Sequence, residues 1–535
     1  MSSTCAQERD ELTYLNRFVL ICKPEQSGKT FVMIQQIIKD ITYPTCDKVI
    51  VNIIFCDNNL LLTRQTSTRV GAELSKPAIQ INGETYLEFS SHTRTAYNDA
   101  NAVIGGIILN YINNILCCTN GTRVDDIYGI IEGLQNNPAT RDRFFFKVWL
   151  DEADKYSNFI DTTFKPLVEK HENVALYCIT ATPKPLFMKY QALNVFPLEN
   201  TTSLDYHGWT DNKIRTYAIQ TNCLGFAEYI LDQHTYAIVP GSKWFIPAEF
   251  KKISHEAMAE LCGSFGMATV IVNGEGVKFY LPNRLVVVEK KTDELNKILL
   301  KIYLEHDLHK YPLAITGNLC VGRGISMMSK DFIFDYGILS CCNNPQQASQ
   351  DAGRLKGNIK SWPGYKPPVV FTTPKFDKIA NEWEKKSRAL AELSFKKQTD
   401  GLATIITKNE FKTVGEDYEY IVHPTLFPSF GKANEFLKTK SREMTRPGQR
   451  AVKVTEQKKN AIHTTSGGYS VTSKLKKVAE MGDEDRVDMT KASSIGSSTC
   501  ISTKSGSGYL ILPVYETMDS PPQSVKFQVR YLSYK

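Results

Sequence analysis

A mostly apolar run that ends in acidic side chains constrains this chain more than any other feature. Phe144 to Leu150 is followed at once by Asp151 and Glu152. A strand buried on both faces has such an apolar sequence. In open α/β sheets, ligands bind just beyond the carboxyl ends of such strands. There, Asp151 could hold Mg²⁺ through a water and Glu152 could polarise an attacking water. An acidic helix start after a core strand would look the same, so the neighbouring motifs must decide.

A second motif lies near the start of the chain and has the order expected of a phosphate loop. Arg17 to Lys23 is predicted to be a buried strand, and Phe31 to Asp40 has helical character. Strand, small-residue loop, Gly-Lys-Thr and helix is the context that a phosphate loop requires. Lys29 would contact the β- and γ-phosphates and Thr30 would bind Mg²⁺, while backbone N–H groups receive the remaining phosphate oxygens. The predicted ATP-binding loop comprises Gln26, Ser27, Gly28, Lys29 and Thr30.

Two segments after the next predicted strands carry side chains suited to a nucleic-acid backbone. Arg64 lies in a stretch rich in hydroxyl groups after the apolar strand 48–56. The strand 115–119 leads into a turn and a helix with a similar composition. Arginine, hydroxyl groups and backbone N–H groups are the usual contacts to phosphate and sugar. The second group of nucleic-acid candidates comprises Thr119, Gly121, Thr122 and Arg123. A plain exposed helix and a plain turn remain alternatives.

Hydroxyl groups also follow the strand that comes after the acidic motif. Val174 to Ile179 is predicted to be a strand, and Thr180 and Thr182 stand at its end. Hydroxyls one strand away from the acidic motif can hydrogen-bond to its carboxylates. We therefore expect Thr180 and Thr182 to couple the state of a bound nucleotide to a neighbouring domain.

These motifs, in this order, resemble those of superfamily 2 helicases of the DEAD-box-like group. The resemblance rests on Gly28-Lys29-Thr30, the Asp-Glu-Ala-Asp stretch from Asp151, and Thr180-Ala-Thr182, and it covers about residues 5–375. The loop sequence KPEQSGKT is similar to members from large DNA viruses and phages. The resemblance implies an α/β fold with two tandem RecA-like parallel-sheet domains, and ATP and Mg²⁺ bound between them.

The resemblance also implies site residues in the second half of the chain. Residues 346–357 resemble the last family motif, in which Gln350 and Arg354 would face the γ-phosphate and Arg354 would act as an arginine finger. Asp351 and Gly357 stand where cellular members often carry arginine, so one finger remains instead of two. In the segment 321–326, Arg323 would couple nucleic acid to ATP and Gly324 would approach the nucleotide. Gln7 is the candidate for adenine recognition.

The predicted organisation has four parts. RecA-like domain 1 spans residues 1–200 and an interdomain linker or insertion spans 201–241. RecA-like domain 2 spans 242–380, and a basic C-terminal extension of mixed α/β character spans 381–535. Residues 431–480 contain twelve Lys or Arg and four Asp or Glu, a net charge of +8, against +7 for the whole chain. With the interleaved aromatics Tyr418, Tyr420 and Phe430, this basic extension is predicted to bind nucleic acid, although a solvated basic surface is the alternative.

Composition limits the compartment and the class of protein. The start of the chain lacks the apolar segment of a signal peptide, and the most apolar stretch, 104–118, is too short and polar to span a bilayer. The thirteen cysteines lack paired CxxC spacing, so we expect free thiols in a reducing intracellular compartment, cytoplasmic or nuclear, with a virus-infected cell as one setting. No membrane partner is expected.

The sequence therefore predicts a nucleic-acid-stimulated ATPase that works as a helicase or translocase, with DNA favoured over RNA. The alternatives are an RNA helicase of the same superfamily, the motor part of a nuclease or restriction machine, and an ATP-gated nucleic-acid clamp with little turnover.

Overall fold

The computed structural model describes residues 14–43, 47–58, 60–76, 86–89, 99–249, 251–273, 276–281, 284–287, 295–317, 327–340, 344–401, 403–416, 418–454, 461–462, 469–472, 486–488, 508–514 and 524–534. The chain forms two compact units. The larger unit consists of Arg17–Pro183 and Leu198–Glu392, which we call the first and second lobes. The smaller unit consists of Met1–Asn16, Lys184–Pro197 and Leu393–Lys535.

A parallel sheet forms the centre of the first lobe. Its strands are β1 (Phe18–Cys22), β2 (Val49–Cys56), β3 (Tyr86–Phe89), β4 (Asn114–Cys118), β5 (Phe144–Asp151) and β6 (Val174–Thr180). They are hydrogen-bonded in the order β1-β6-β5-β2-β4-β3, and every neighbouring pair is parallel. All five residues of β1 and of β4 are buried, as expected for strands covered on both faces. The carboxyl ends of β1, β5 and β6 therefore meet at one edge of the sheet.

Helices connect these strands and supply the covering layers. They are α1 (Lys29–Thr42), α2 (Leu60–Leu74), α3 (Ala100–Ile108), α4 (Gly121–Asn136) and α5 (Lys165–Lys170), with a one-turn helix at Ser157–Phe159, a 3₁₀ turn at Ala153–Lys155 and a π-helical turn at Ile160–Phe164. The buried face of α1 includes Met33, Ile34 and Ile37, which have helical spacing. The Asn120 side chain accepts a hydrogen bond from the Arg123 N–H and so caps α4. Because these strands are parallel, each one ends at the same edge of the sheet.

A mixed sheet forms the centre of the second lobe. Its strands are β9 (Lys213–Thr216), β10 (Lys243–Phe245), β11 (Ala268–Asn273), β12 (Gly276–Leu281), β13 (Arg284–Val287), β14 (Leu313–Gly317), β15 (Tyr336–Leu339) and β17 (Val369–Thr372). The order is β13-β12-β11-β14-β10-β15-β17-β9, parallel from β11 to β9, with β12 and β13 antiparallel at one edge. Trp244 and Phe245 are adjacent on β10 but belong to separate apolar clusters. Core residues therefore cover both faces of this sheet.

The remaining elements of the second lobe surround that sheet. Its helices are α7 (Cys223–Gln233), α8 (Lys252–Ser264), α9 (Leu295–Glu305), α10 (Pro345–Ala352) and the start of α11 (Pro374–Thr399), with 3₁₀ turns at Trp209–Asp211, Thr235–Ala237, Leu308–Lys310 and Gly353–Leu355. The short strands β8 (Tyr206–His207) and β16 (Gly357–Asn358) pair antiparallel. The parallel sheet of the first lobe and the mixed sheet of the second, each with flanking helices, make the protein α/β, with two tandem lobes built on largely parallel sheets.

The segment 201–241, expected to be a linker or insertion, differs from that description. It supplies β8, the sheet strand β9 and helix α7. β9 pairs parallel with β17, and Phe226 and Ile230 on α7 lie in the apolar cluster around Trp244. The charged edge strand β9, with the sequence KIRT, lacks the apolar run that marks a central strand, which is why its pattern did not predict a strand.

The smaller unit has its own helices and strands. They are α6 (Lys184–Lys189), β7 (Ala192–Val195), β18 (Ile405–Thr407), α12 (Lys408–Thr413), β19 (Tyr418–Val422), α13 (Phe430–Thr439), β20 (Ala461–Ile462), β21 (Tyr469–Thr472), β22 (Arg486–Asp488), β23 (Tyr509–Val514) and β24 (Lys526–Tyr534). β19, β24 and β23 form an antiparallel sheet against which α13 packs. Tyr418 and Phe430 are buried in this unit, so they are not the exposed stacking residues that the sequence suggested.

Two further observations concern membrane-spanning helices and the state of the cysteines. No helix among the described residues is long and apolar enough to span a membrane. Buried cysteines that form no disulfide occur at Cys22, Cys56, Cys117, Cys118, Cys178 and Cys262. Cys223, in contrast, is disulfide-bonded, so the expectation of free thiols throughout is wrong at this position.

Candidate functional site

A cavity of about 560 Å³ lies in the larger unit, at the edge of the first sheet where β1 and β5 end. Its walls come from both lobes. The first lobe supplies the phosphate-loop residues and the acidic pair, and the second lobe supplies the segment around Arg354. The predicted site residues on its walls are Gln26, Gly28, Lys29, Thr30, Asp151, Glu152 and Arg354. Residues that are distant in sequence thus meet at one site.

The phosphate loop has the backbone conformation that its sequence requires. Gly28 has φ 91° and precedes Lys29, the first residue of α1. Gln26 also has a positive φ, 56°. Ser27 does not line the cavity; its hydroxyl donates to the Pro24 carbonyl at 2.7 Å and closes the loop on itself. Lys29 is largely buried at the start of a 14-residue helix, where the N–H groups and the helix dipole favour an anion.

The acidic pair lies at the carboxyl end of β5. Asp151 is the last residue of the strand, and Glu152 is buried with a left-handed backbone at φ 51° and ψ 43°. Desolvation raises the pKa of Asp151, and the nearby Lys29 ammonium opposes that rise. A carboxylate in this environment is stabilised by an added cation.

Asp154, the last residue of the acidic motif, collects hydrogen bonds from two strand ends. The Thr180 hydroxyl donates to Oδ1 at 2.7 Å and the Thr182 hydroxyl donates to Oδ2 at 2.6 Å. The Gln346 amide of the second lobe donates to the same Oδ2 at 3.0 Å. The expected hydroxyl contacts are therefore present, and they reach the second lobe through Gln346, a residue that the sequence reading did not select.

Arg354 lies in the 3₁₀ turn that follows α10 and is 4% exposed. Burial lowers its pKa, while Asp351, Glu152 and Glu25 raise it, so three carboxylates act on this guanidinium. Gln350, predicted beside it, is buried on α10 and is not on the wall of the cavity. Within the described ranges, its Nε2 makes no hydrogen bond.

A second charged contact between the lobes involves the phosphate loop itself. Glu25 accepts a hydrogen bond from the Ser349 hydroxyl. It also forms an ion pair with Lys356, whose Nζ lies 3.2 Å from Glu25 Oε2. Sequence reasoning selected none of these three residues. The available signal was a charged residue inside a phosphate loop and a lysine two positions after the predicted arginine finger.

The predicted nucleic-acid residues fall into exposed and buried groups. Gly121 and Thr122 are exposed at the start of α4. The Arg123 guanidinium lies 3.9 Å from the centre of the Phe89 ring and pairs with Asp126 at 2.8 Å. Thr119 is buried and its hydroxyl donates to the Cys56 carbonyl at 2.8 Å. Because that hydroxyl faces the neighbouring strand, Thr119 is not a surface contact here.

Four predicted residues cannot be placed in full. Gln7, Arg323 and Gly324 lie outside the described residues. Arg64 lies on α2, and its side chain is outside the described part of the structure.

The oxygen ligands at this site fit Mg²⁺. Mg²⁺ keeps most of its waters and needs only one or two protein oxygens. The Thr30 hydroxyl and the Asp151 carboxylate both line the cavity. In the described ranges, no cluster of three or more His, Cys, Asp or Glu side chains is arranged to hold a metal ion. The Thr30 and Asp151 oxygens therefore suit a Mg²⁺ ion that keeps most of its waters.

Comparison with known proteins gives similarity only at the level of solved structures. No protein-family model and no curated protein matches the chain. The chain is similar to an S. cerevisiae Dbp5 variant bound to RNA and ADP BeF3, with 16% identity, a TM-score of 0.40, and coverage of 69% of this chain and 83% of that one. It is similar to Mss116p bound to ssRNA and AMP-PNP, with 12% identity, a TM-score of 0.38, and coverage of 80% and 77%.

A third similar structure is Mycobacterium smegmatis helicase Lhr bound to ssDNA and AMP-PNP, with 10% identity, a TM-score of 0.38, and coverage of 73% of this chain and 47% of that one. At these identities and TM-scores, the similarities carry no residue role over to this chain.

Proposed function

We propose that this chain is an ATP-dependent nucleic-acid helicase or translocase of superfamily 2 that hydrolyses ATP between its two lobes. One observation supports this proposal above the others. Lys29 from the first lobe and Arg354 from the second line the same cavity, although 325 residues separate them. A lysine on a helix N-terminus and an arginine from the other lobe are cations of the kind that a triphosphate needs.

The proposed roles follow from position and charge. Lys29 and the loop N–H groups bind the phosphates. Glu152 orients the attacking water, and Arg354 stabilises the charge that develops in the transition state. Thr30 and Asp151 would hold Mg²⁺, which supplies charge neutralisation for phosphoryl transfer. Because Arg354 belongs to the second lobe, hydrolysis requires both lobes to enclose the nucleotide.

Movement along nucleic acid is the proposed use of this cycle. Gly121, Thr122 and Arg123 lie at the start of α4, where exposed N–H groups could bind a phosphate backbone. Closing and opening of the lobes would shift these contacts along a strand. DNA is proposed over RNA, and kinship with helicases of large DNA viruses and phages is proposed from the phosphate loop, KPEQSGKT. The basic C-terminal unit is proposed as a further nucleic-acid contact.

The test is ATP turnover in the presence of ssDNA, dsDNA, ssRNA or duplex RNA at a stated salt concentration, because phosphate contacts weaken steeply with ionic strength. Lys29→Ala, Glu152→Gln and Arg354→Ala should each reduce stimulated turnover at least about 100-fold. Lys165→Ala, at a partly exposed lysine that pairs with Glu169 four residues along the helical segment, is the matched control and should keep wild-type activity.

Each alternative function has its own outcome in the same assay. Full turnover in the Lys29 and Glu152 variants would exclude this mechanism. Tight ATP-dependent nucleic-acid binding without turnover would indicate a clamp. Mg²⁺-dependent cleavage of DNA would indicate the motor part of a nuclease machine, and stimulation by RNA alone would indicate an RNA helicase.

A further inference from the structure

Glu25 is held by the second lobe through both oxygens of its carboxylate. Oε1 accepts a hydrogen bond from the Ser349 hydroxyl, and Oε2 lies 3.2 Å from Lys356 Nζ. Ser349 precedes Arg354 by five residues and Lys356 follows it by two. Two residues that flank Arg354 in sequence, the residue proposed as the arginine finger, thus both contact Glu25 of the phosphate loop.

The backbones approach closely at the same place. A Cβ at Gly353 would lie 2.8 Å from the Glu25 Cβ, a separation that would force one of them to move. The Tyr206 hydroxyl donates to the Glu25 carbonyl oxygen at 3.0 Å. Glu25 is 3% exposed and the Lys356 side chain is fully buried. The contact is therefore dry, so its electrostatic interactions are strong.

Lys356 has a second carboxylate partner within its own lobe. Its Nζ lies 3.0 Å from Glu384 Oε2, and Glu384 also accepts from the Trp209 N–H and pairs with Arg388 at 2.7 Å. If the lobes separate, Lys356 stays paired with Glu384 while Glu25 passes into water with its loop. No buried charge is left without a partner, so this contact can break and re-form at low cost.

The charge of Glu25 has a consequence for a nucleotide in the loop. Glu25 lies four residues before Lys29, in the segment proposed to receive a triphosphate. A carboxylate there repels the phosphates unless a cation neutralises it. Lys356 supplies that cation only when the second lobe lies against the loop.

We propose that Lys356 is a positioning residue, which neutralises Glu25 on lobe closure and so couples triphosphate binding to the placement of Arg354. This inference rests on the proposed ATPase function. It assigns the coupling to the Glu25–Lys356 pair, which acts through the phosphate loop and the Arg354 segment at the wall of the cavity. A merely structural ion pair would change stability and leave the relation between KM and kcat unaltered.

The experiment is a double-mutant cycle on the full chain with Glu25→Gln, Lys356→Met and the double variant. KM for ATP and kcat are measured with saturating and with no nucleic acid, and folding is checked by the thermal unfolding midpoint. Lys360→Met is the matched control, since Lys360 forms a half-exposed pair with Asp211 at 3.0 Å in the same lobe. The control should have wild-type KM and kcat.

The two single variants should move KM in opposite directions. Glu25→Gln removes the repulsion, so KM without nucleic acid should fall several-fold while kcat falls about tenfold, because the grip on the finger segment is weakened. Lys356→Met leaves the carboxylate unneutralised, so KM should rise and kcat should fall about tenfold. The double variant should be close to Glu25→Gln alone, because Lys356 then has no charge to neutralise.

Three outcomes would overturn the inference. If the effects of the two single changes multiply in the double variant, the residues act independently. If Glu25→Gln has wild-type KM and kcat, the loop carboxylate has no such role; this variant leaves Lys356 paired with Glu384, so it remains informative if Lys356→Met misfolds. If the wild-type protein hydrolyses no ATP under any condition, the proposed function fails and this inference fails with it, whereas the first two outcomes leave the ATPase function standing.

Discussion

Gln346 Nε2 donates to Asp154 Oδ2 at 3.0 Å, so one amide of the second lobe joins the carboxylate that Thr180 and Thr182 hold in the first lobe. Asp154 follows the catalytic candidates Asp151 and Glu152 by two or three residues. A change in the second lobe that moves Gln346 therefore alters a hydrogen bond to Asp154, the last residue of the acidic motif.

Replacing Gln346 should reduce the stimulation of ATP turnover by nucleic acid and leave ATP binding nearly unchanged. Gln346→Ala removes one hydrogen bond to a charged acceptor, a contact of about 1.5–3 kcal/mol. We expect stimulated kcat to fall about tenfold or more, with KM for ATP within twofold of wild type. Steady-state ATPase kinetics with and without nucleic acid would measure this. Gln233→Ala, at an exposed position on α7, is the control. Unchanged stimulation in Gln346→Ala would show that the Asp154 contact transmits nothing.

A buried ion pair beneath the first sheet should contribute strongly to stability. Lys147 Nζ on β5 lies 2.6 Å from Asp40 Oδ2 on α1, and both side chains are at most 10% exposed. Lys147→Met would leave a buried carboxylate and should lower the free energy of unfolding by about 3–5 kcal/mol. Urea denaturation followed by tryptophan fluorescence would report it, since Trp149 lies two residues along the same strand.

The double variant Lys147→Met with Asp40→Leu removes both charges and should recover most of that loss. Lys165→Met, which breaks a partly exposed pair with Glu169, should cost less than about 1 kcal/mol. If Lys147→Met is as mild as the Lys165 variant, the buried pair adds little to stability.

Asp351 should make both activity and stability depend on pH near neutrality. Desolvation raises its pKa to about 7 from the ordinary 3.8, against the opposing effects of Arg354 and Gln347. Above pH 7 the carboxylate is charged and competes for the Arg354 guanidinium, so kcat should decline as pH rises through 7. Asp351→Asn should abolish that decline, as a pH–kcat profile from 6 to 8.5 would show. Asp331→Asn, at an exposed position, should keep the wild-type profile.

The same ionisation fixes the sign of the stability effect. The folded state holds the Asp351 proton up to pH 7, and the unfolded state releases it near pH 4. Stability from this group is therefore fully present below pH 4 and is lost as pH rises through 7. Asp351→Asn should become more stable than wild type by up to about 1.4 kcal/mol per pH unit in that window. Parallel pH curves for the two proteins in chemical denaturation would contradict this.

The strands that carry the first-lobe site could be predicted because the local pattern is strong. β5 ends at Asp151 and α1 begins at Lys29, where an apolar run meets a polar motif. Parallel strands bring their carboxyl ends to one edge of a sheet, so the meeting of these motifs followed from the fold. The α/β class with two tandem parallel-sheet lobes was expected from the same motifs.

The direction in which a side chain points, and its contacts with residues far away in sequence, could not be predicted from local sequence patterns. Thr119 was expected at the surface, but one strand-end residue gives no sign of which face it takes, and its hydroxyl bonds to the Cys56 carbonyl. Glu25 and Lys356 are 331 residues apart, and neither belongs to a repeating pattern that would mark it as buried. A partner of that kind becomes visible only when both backbones are in place. The edge strand β9 was missed because two of the four residues in its sequence KIRT are charged and three are exposed. Its pairing with β17, rather than an apolar run, makes it a strand.

The left-handed backbone at Glu152 limits which substitutions there can be interpreted. Only some side chains tolerate φ 51° readily: Asn, Asp and Gly adopt it easily, whereas β-branched residues do so at considerable cost. A saturation library at this position would therefore sort its members by conformational preference as well as by chemistry. Valine or threonine would score as inactive even if the carboxylate had no part in the reaction, so unbranched Gln is the replacement from which a chemical role can be read.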